Sequence, residues 1–478
     1  MRFRPETSRR HAARLIAAVG ALLALGACSS STIPPSAVPH VFAIDADGAP
    51  YPYAVVRGAE VIAKEQYDVT NHLREIINGI RTGGRTNILL YLFGGANSVA
   101  DTVNRAAMLS EAIRTNSAYY PVCVGWQSSL LEAYFDHLFW IRRGVREPVL
   151  GPLLSPFYFI ADLGRAITRL PVTLVYHAYA TASDTVIDPC DDEEQNARDD
   201  ARRIALNGLR AATGKDESST TVRILQRVVY ALGLPIRFFT VSAIDAGGKN
   251  SWDVMIGRTR TAFRKSYTLD PPRGSEFAVA FVPPDGALAL LASAINEFCA
   301  SNPQYRVTLV GHSLGAMLGN ELVRRYPDLP ISDIVYMGAA CSLKDASLTV
   351  VPYLRRHRAC MFYNLTLHQF ADQREYMWLA FLPRGSILEW IDTFLSDPIT
   401  LDDLQLGKWK NAIRTVPCMA NDLRPQIVVK AFGINDPRFN TLDPHMPETH
   451  TDFSDPRLRF WERAFWEIPA AGSSAPMP

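Results

Sequence analysis

Short apolar runs alternate with amphipathic stretches in two parts of the chain, before residue 140 and after residue 277. Each run is continuous and bounded by glycine or polar residues, which is typical of parallel strands buried on both faces. The stretches between the runs carry apolar residues at helical spacing. The predicted strands are 88–93, 119–124, 307–310, 331–337, 360–365 and 427–432, and the predicted helices are 98–118, 285–300 and 314–326. This alternation predicts an α/β fold, a mostly parallel open sheet with helices on both faces.

The alternation is interrupted between residues 141 and 276. Two apolar and aromatic segments within that stretch, 148–180 and 222–244, are broken by prolines. We predict a largely helical insertion over 141–276 that covers the sheet as a cap or lid, within an α/β domain spanning 41–467. Apolar helices in a cap line a pocket, contact lipid or pack on one another, and the sequence leaves these three roles open. Residues 468–478 are predicted to form a flexible tail.

The first residues have the pattern of an exported protein. A segment rich in arginine precedes the apolar run Leu15 to Ala27, which is shorter than the roughly 20 residues that span a bilayer. The sequence LGAC ending at Cys28 resembles the lipobox of bacterial lipoproteins. The resemblance implies that residues 1–27 are a signal peptide and that Cys28 is lipidated. An ordinary cleaved signal peptide is the alternative.

The residues after Cys28 bear on where such a protein would be held. Ser29 is not the aspartate that retains lipoproteins in the inner membrane, so the lipobox resemblance implies a bacterial cell-envelope protein in the outer membrane, facing the periplasm. Residues 28–40 are rich in serine and proline and are predicted to form a tether between the lipid anchor and the domain.

The composition, 48% hydrophobic and 20% charged, is that of a globular protein with a full core. The 49 basic residues barely exceed the 48 acidic ones, and this balance provides no field that would attract a nucleic acid. Six cysteines remain besides Cys28, and their even number permits disulfides without selecting a pairing. Cys123 and Cys299 lie within apolar segments and are expected to be plain core residues.

The strongest chemical signal is a serine between two glycines, in the sequence Gly311-His312-Ser313-Leu314-Gly315. The motif ends a predicted buried strand and begins a predicted helix, which is the context of a nucleophile elbow. Glycine is expected at both flanks because a Cβ atom there would collide with neighbouring chain in so sharp a turn. The alternative is a tight turn that happens to contain serine.

At this motif the chain resembles the α/β-hydrolase superfamily, particularly its lipase- and esterase-like members. The resemblance covers roughly residues 86–139 and 278–467 and implies a serine hydrolase whose catalytic residues follow in the order serine, acid, histidine. It therefore implies that Ser313 is the nucleophile of a Ser-Asp-His triad.

Serine needs a base to accept its proton, and histidine titrates near neutrality. His450 is the predicted base because it lies after the last strand and before a predicted aromatic helix at 456–466; His445 is the alternative. His312 is expected to pack beside the serine, and His368, beyond a strand end, is expected to be structural.

The third member must be a carboxylate that orients the histidine. Asp372 is the predicted acid, because it follows the strand at 360–365 on the side where sites of open α/β sheets gather. Asp436, after the last strand, and Asp345, after the strand that follows the serine, are the alternatives. Any of the three aspartates can instead cap a turn.

An oxyanion hole requires backbone N–H groups aimed at the oxygen on which negative charge develops. One predicted donor is the amide of Leu314, directly after the nucleophile. The other is the amide of Gly95 or Ala96, in the loop that follows the strand at 88–93. Relatives often carry His-Gly at this point, where this chain has Phe93-Gly94.

These observations predict a membrane-anchored serine hydrolase that cleaves carboxylic esters, including lipid esters, through an acyl-enzyme intermediate. A non-catalytic envelope lipoprotein that retains the scaffold and an acyltransferase that uses the same triad are the alternatives. No cofactor and no metal are expected, since the sequence lacks phosphate-binding glycine loops and the common zinc motifs. The expected partners are an ester or lipid substrate and the membrane, and the oligomeric state stays open.

Overall fold

The structure is a computed structural model, and it describes most of the chain from Thr32 to Ile468. The described ranges are 32–57, 60–62, 66–95, 97–142, 145–146, 149–186, 210–212, 228–229, 232–265, 285–375, 383, 385–415, 421–432 and 446–468. Several predictions fall outside them: the signal peptide, Cys28, the tail after residue 468, Ala96, Asp436 and His445.

A parallel sheet forms the centre of the molecule. Its strands, in chain order, are β2 Val41–Ile44, β5 Asn87–Leu92, β6 Tyr119–Trp126, β9 Arg210–Ala212, β10 Arg306–His312, β11 Ile331–Met337, β12 Met361–Leu367 and β13 Ile427–Phe432. Their order across the sheet is β2-β6-β5-β10-β11-β12-β13-β9, and every neighbouring pair is parallel. The short strands β1 Thr32–Ile33, β3 Ala54–Arg57, β4 Glu60–Ile62, β7 Ile141–Arg142 and β8 Val145–Arg146 lie outside this sheet.

Helices connect the strands of the sheet, as an α/β fold requires. In chain order they are α1 Val69–Thr82, α2 Val99–Asn116, α3 Leu130–Phe139, α4 Leu150–Val186, α5 Leu234–Thr261, α6 Ala287–Ser301, α7 Gly315–Arg325, α8 Leu343–Arg356, α9 Gln369–Arg374, α10 Ile387–Trp390, α11 Trp409–Thr415 and α12 Arg463–Trp466.

The six strands predicted from apolar runs are all present, each within two residues of its predicted bounds. Residues 88–92 of β5 are all at most 1% exposed, which is why this strand carries no polar position after Asn87. β10 lies near the middle of the sheet, with Gly311 opposite Leu92 of β5 and Tyr336 of β11. The carboxyl ends of the parallel strands therefore meet at one edge, on which the candidate site lies.

The segment predicted to be a tether takes part in the fold from Thr32 onward. β1 pairs with β3, a 3-10 helix spans Pro35–His40, and β2 follows directly as the edge strand of the sheet. The buried His40 ring hydrogen-bonds to the Pro121 carbonyl at 2.9 Å, and the Tyr120 hydroxyl donates to the Pro39 carbonyl at 3.1 Å. The difference arises because these prolines make a packed 3-10 turn, so only residues 29–31 lie between Cys28 and the described fold.

The predicted insertion at 141–276 is helical in its described part, which consists mainly of α4 and α5. These two helices pack against each other and against α3. The insertion also contributes β9, which extends the sheet by pairing with β13 from Val428↔Arg210 to Lys430↔Ala212. The insertion is thus joined to the sheet at the β13 edge as well as through its helices.

Two further expectations concern the carboxyl-terminal region and the cysteines. The aromatic helix predicted at 456–466 is instead a 3-10 turn, Pro456–Leu458, followed by the short α12, because Arg459 has a φ of 46° that ends the first turn. The cysteines that the structure describes, Cys123, Cys299, Cys341 and Cys360, are all buried free thiols.

Candidate active site

Ser313 lies at a sharp bend between β10 and α7. Its φ of 52° is in the left-handed region that a serine rarely adopts, so the bend is strained and held by its surroundings. A Cβ atom at Gly311 would lie 2.9 Å from the Ala316 backbone, and one at Gly315 would lie 2.1 Å from the Leu92 carbonyl oxygen. Both flanking positions therefore require glycine, as the motif predicted.

The neighbouring strand holds the backbone of Ser313 in this conformation. Its N–H donates to the Met337 carbonyl at 2.9 Å, and its carbonyl accepts from Ala340 N–H at 3.0 Å and from Ala316 N–H at 3.1 Å. Because these bonds come from the end of β11 and the start of α7, the side-chain position of Ser313 is determined by the sheet edge.

The structure brings His450 to Ser313. The His450 Nε2 atom is 2.9 Å from the Ser313 Oγ atom, although the two residues are 137 positions apart in the chain. His450 begins a 3-10 turn that is capped by the Asp452 carboxylate, which accepts from the N–H groups of Glu448 and Thr449. The imidazole is therefore placed to take the proton of the serine hydroxyl.

Two side chains hold the peptide groups of His450 in place. The Glu375 Oε2 atom accepts a hydrogen bond from the His450 N–H at 2.9 Å. The His312 Nε2 atom donates to the His450 carbonyl at 3.1 Å, which requires the proton of that ring to be on Nε2. The sequence analysis placed His312 beside the serine but did not identify Glu375, a buried carboxylate three residues after Asp372.

Gly338 closes the site beneath the imidazole. It follows β11 directly and has a φ of 52°. A Cβ atom there would lie 2.8 Å from both Cε1 and Nδ1 of His450. Any other residue at this position would be strained by the positive φ, and its Cβ atom would collide with the imidazole. The approach of the imidazole to Ser313 therefore depends on glycine at position 338.

Burial keeps both histidines of the site neutral at physiological pH. It lowers the pKa of His450 to about 3, and the neighbouring His312 contributes in the same direction. It also lowers the pKa of His312 to about 4, against the opposing effect of the bond to the His450 carbonyl. Ser313 and His450 are each only 5% exposed.

The contacts of Asp372 do not match its predicted role as the acid partner of His450. The imidazole of His450 makes no hydrogen bond with a carboxylate among the described residues, and its one side-chain bond is to Ser313. The Asp372 carboxyl group is hydrogen-bonded to Ser386 and lies near Lys408. Burial raises its pKa to about 6, although Lys408 acts in the opposite direction.

Asp372 thus belongs to a buried charged cluster, which we define as Asp372, Glu389, Asp392 and Lys408. Lys408 forms ion pairs with Glu389 and, at 3.2 Å, with Asp392. Burial alone would lower the pKa of Lys408, but the three carboxylates outweigh it and keep that pKa above its usual value. The short helix α9 directs Asp372 into this cluster, whereas Glu375, just beyond its end, reaches the histidine.

The other predicted acids and histidines have different surroundings. Asp345 accepts from Asn320 at 2.6 Å, forms an ion pair with Arg324 and lies in the first turn of α8, so it has a structural role on the flank of α7. Asp436 and His445 lie outside the described residues. His368 is buried at the end of β12, where burial lowers its pKa to about 3.

The predicted oxyanion loop lies against Ser313. A Cβ atom at Gly94 would lie 2.9 Å from the Ser313 Cβ atom, and one at Gly95 would lie 2.3 Å from the Leu314 side chain. The amides of Leu314 and Gly95 donate no hydrogen bond to any part of the chain that the structure describes. This is what the predicted oxyanion hole requires of them, and Ala96 lies outside the described residues.

Arg105 is a second residue that the sequence analysis did not identify. Its guanidinium donates to the Asn97 side chain at 3.1 Å and to the Ser454 hydroxyl at 2.9 Å. It thereby links the oxyanion loop to the turn that carries His450. Its position in the middle of α2 offers no motif, and only the tertiary structure brings its two partners together.

The chain has no match among known protein families, curated proteins or solved structures. Within the described ranges, no group of three or more histidine, cysteine, aspartate or glutamate side chains is arranged to hold a metal ion. The chemistry of the site is therefore inferred from its own geometry: a serine hydroxyl, a neutral imidazole, and two backbone amides that donate to no described residue.

Proposed function

We propose that this protein is a serine hydrolase that cleaves carboxylic esters through an acyl-enzyme intermediate. The observation that carries the proposal is the 2.9 Å contact between His450 Nε2 and Ser313 Oγ at a strained strand–helix bend. His450 accepts the serine proton while Ser313 Oγ attacks the ester carbonyl carbon. The amides of Leu314 and Gly95 stabilise the oxyanion, and His450 then protonates the departing alcohol.

The chemistry of the leaving group favours esters over amides as substrates. An alkoxide leaves more readily than an amine and depends less on a strong general acid. Water releases the acyl group in a second step, with His450 acting again as the base.

The catalytic proposal is tested with the chain from residue 29 and p-nitrophenyl esters of increasing acyl length. Ser313→Ala is expected to abolish hydrolysis, and a fluorophosphonate probe is expected to label Ser313 alone, as located by peptide mass spectrometry. The matched control is Ser347→Ala, at an exposed serine on α8, which should behave as wild type. Full activity of Ser313→Ala would reject the mechanism, and unlabelled, inactive wild type would favour a non-catalytic scaffold.

We also propose that the protein is anchored in the outer membrane of a bacterial envelope, facing the periplasm, through a lipid on Cys28. The support is the lipobox-like LGAC sequence after a basic and apolar segment. Cells that express the full chain should incorporate radiolabelled palmitate into it, and Cys28→Ala should remove the label. The same palmitate labelling of both forms would refute anchoring at this cysteine.

A further inference from the structure

Over residues 150–167, helix α4 has its charged side chains toward the protein and most of its large apolar side chains toward solvent. Asp162 is 7% exposed and accepts from Tyr134 at 3.2 Å and Asn250 at 2.7 Å, and it lies 3.2 Å from His137 Nε2. Arg165, one turn later, donates to the Asp245 carbonyl at 2.6 Å. These bonds join α4 to α3 and α5, so the helix is held on the molecule by hydrogen bonds and ion pairs.

The outer side of α4 and the residue before it are strongly apolar. We define the apolar face as the large side chains there that are exposed: Val149, Leu150, Leu153, Leu154, Phe157, Tyr158, Phe159, Ile160, Leu163, Ile167 and Val172. Between residues 149 and 164 the sole charged residue is Asp162, which points inward. Soluble proteins rarely expose an apolar surface of this extent, and such surfaces mark sites of association.

We propose that this apolar face docks on the surface of a phospholipid bilayer, as a second membrane contact besides the lipid on Cys28. The choice of occupant rests on the proposed anchoring: only residues 29–31 separate Cys28 from β1. The four Cα–Cα steps from Cys28 to Thr32 extend to roughly 14 Å at most, so the anchored protein must lie against the bilayer.

The form of the helix fits a position in the plane of the interface. Within the described residues, no helix is both long and apolar enough to cross a membrane. The interfacial position is typical of a helix whose exposed side is apolar and whose other side is polar. The sequence just before α4 is basic, with Arg142, Arg143 and Arg146 against Glu147, as expected for contact with anionic lipids.

The test uses the lipid-free chain from residue 29, which contains every described residue. It is floated with vesicles of phosphatidylethanolamine and phosphatidylglycerol in a 3:1 ratio. Wild type is expected to float with the vesicles and to remain bound in 1 M NaCl, because apolar burial is not screened by salt. The double variant Phe157→Ser with Ile160→Ser changes positions that are 69% and 64% exposed. It should bind the vesicles at least about tenfold more weakly than wild type.

The matched control is Met108→Ser with Leu348→Ser, two helical side chains 66% and 64% exposed elsewhere on the protein, and it should bind as wild type does. Failure of wild type to float, or equal binding by both double variants, would overturn the proposal. The proposal would also be overturned if wild type were a dimer in sedimentation velocity and the 157/160 variant, but not the control, were a monomer. The apolar face would then bind a second copy of the chain.

These results are independent of the proposed chemistry and of lipidation. Ser313→Ala should float like wild type, because the nucleophile takes no part in docking. Loss of palmitate labelling at Cys28 would remove the anchor without changing vesicle binding by the lipid-free chain. Hydrolysis of a short, water-soluble ester by the 157/160 variant should equal that of wild type.

Discussion

Replacing Asp372 with asparagine tests whether this carboxyl group serves catalysis or only the buried charged cluster. Asparagine keeps the size of the side chain and removes its charge. Asp372 is 4% exposed, and its carboxyl group contacts Ser386 and lies near Lys408, with no hydrogen bond to His450. We therefore expect kcat/KM for ester hydrolysis to stay within about tenfold of wild type, whereas loss of a true triad carboxylate costs roughly 10⁴-fold.

The expected effect on stability follows from the raised pKa. Burial raises the pKa of Asp372 from 3.8 to about 6. The folded protein therefore holds this proton more tightly than the unfolded chain, and its stability falls as pH rises from about 4 to 6. At about 1.36 kcal/mol per pKa unit, the ionised carboxylate costs roughly 3 kcal/mol above pH 6. Asp372→Asn removes this cost, and Lys408 keeps Glu389 and Asp392 as partners.

The measurement is urea denaturation of wild type and Asp372→Asn at pH 4 and pH 7.5, alongside hydrolysis of a p-nitrophenyl ester. The variant should gain up to about 3 kcal/mol relative to wild type between the two pH values. Control substitution at Asp402, an exposed aspartate in a surface turn, should show no such pH-dependent difference. A thousandfold loss of kcat in a variant with an intact fold would refute the purely structural role of Asp372. If the stability of the variant relative to wild type were lower at pH 7.5 than at pH 4, the burial argument would be refuted.

Three further predictions concern the histidine. Glu375→Ala should lower kcat roughly 10- to 100-fold in steady-state assays, because the His450 N–H loses its acceptor. Glu375→Gln can still accept that hydrogen bond and should therefore keep most of the wild-type kcat. Gly338→Ala should lower kcat at least 100-fold, because its Cβ would lie 2.8 Å from the His450 ring, with little change in secondary structure by circular dichroism. Burial lowers the pKa of His450 to about 3, so the imidazole stays neutral in mild acid. The plot of kcat/KM against pH should therefore show no fall near pH 6.5, down to the pH at which the protein unfolds. A fall in kcat/KM with a midpoint near pH 6.5 would contradict this.

Much of the fold was predictable because it depends on near neighbours in the chain. Continuous apolar runs identify strands buried on both faces, and β5 and β10 occur where those runs lie. The bend at Ser313 was also predictable, since its two glycines are required by backbone atoms a few residues away and on the adjacent strand. The edge strand β2 was missed because its four residues follow a proline-rich segment that has the composition of a linker.

The sequence alone predicted that Ser313 and His450 would meet, because both belong to loops at the carboxyl ends of predicted strands, and the two side chains lie 2.9 Å apart. It could not decide which carboxylate approaches the histidine. Asp372 and Glu375 are three residues apart, and their different contacts depend on the direction in which α9 leaves β12, which is set by packing between distant segments. The same holds for α4: its first residues are apolar at nearly every position, and only the bonds of Asp162 and Arg165 to neighbouring helices determine which side faces inward.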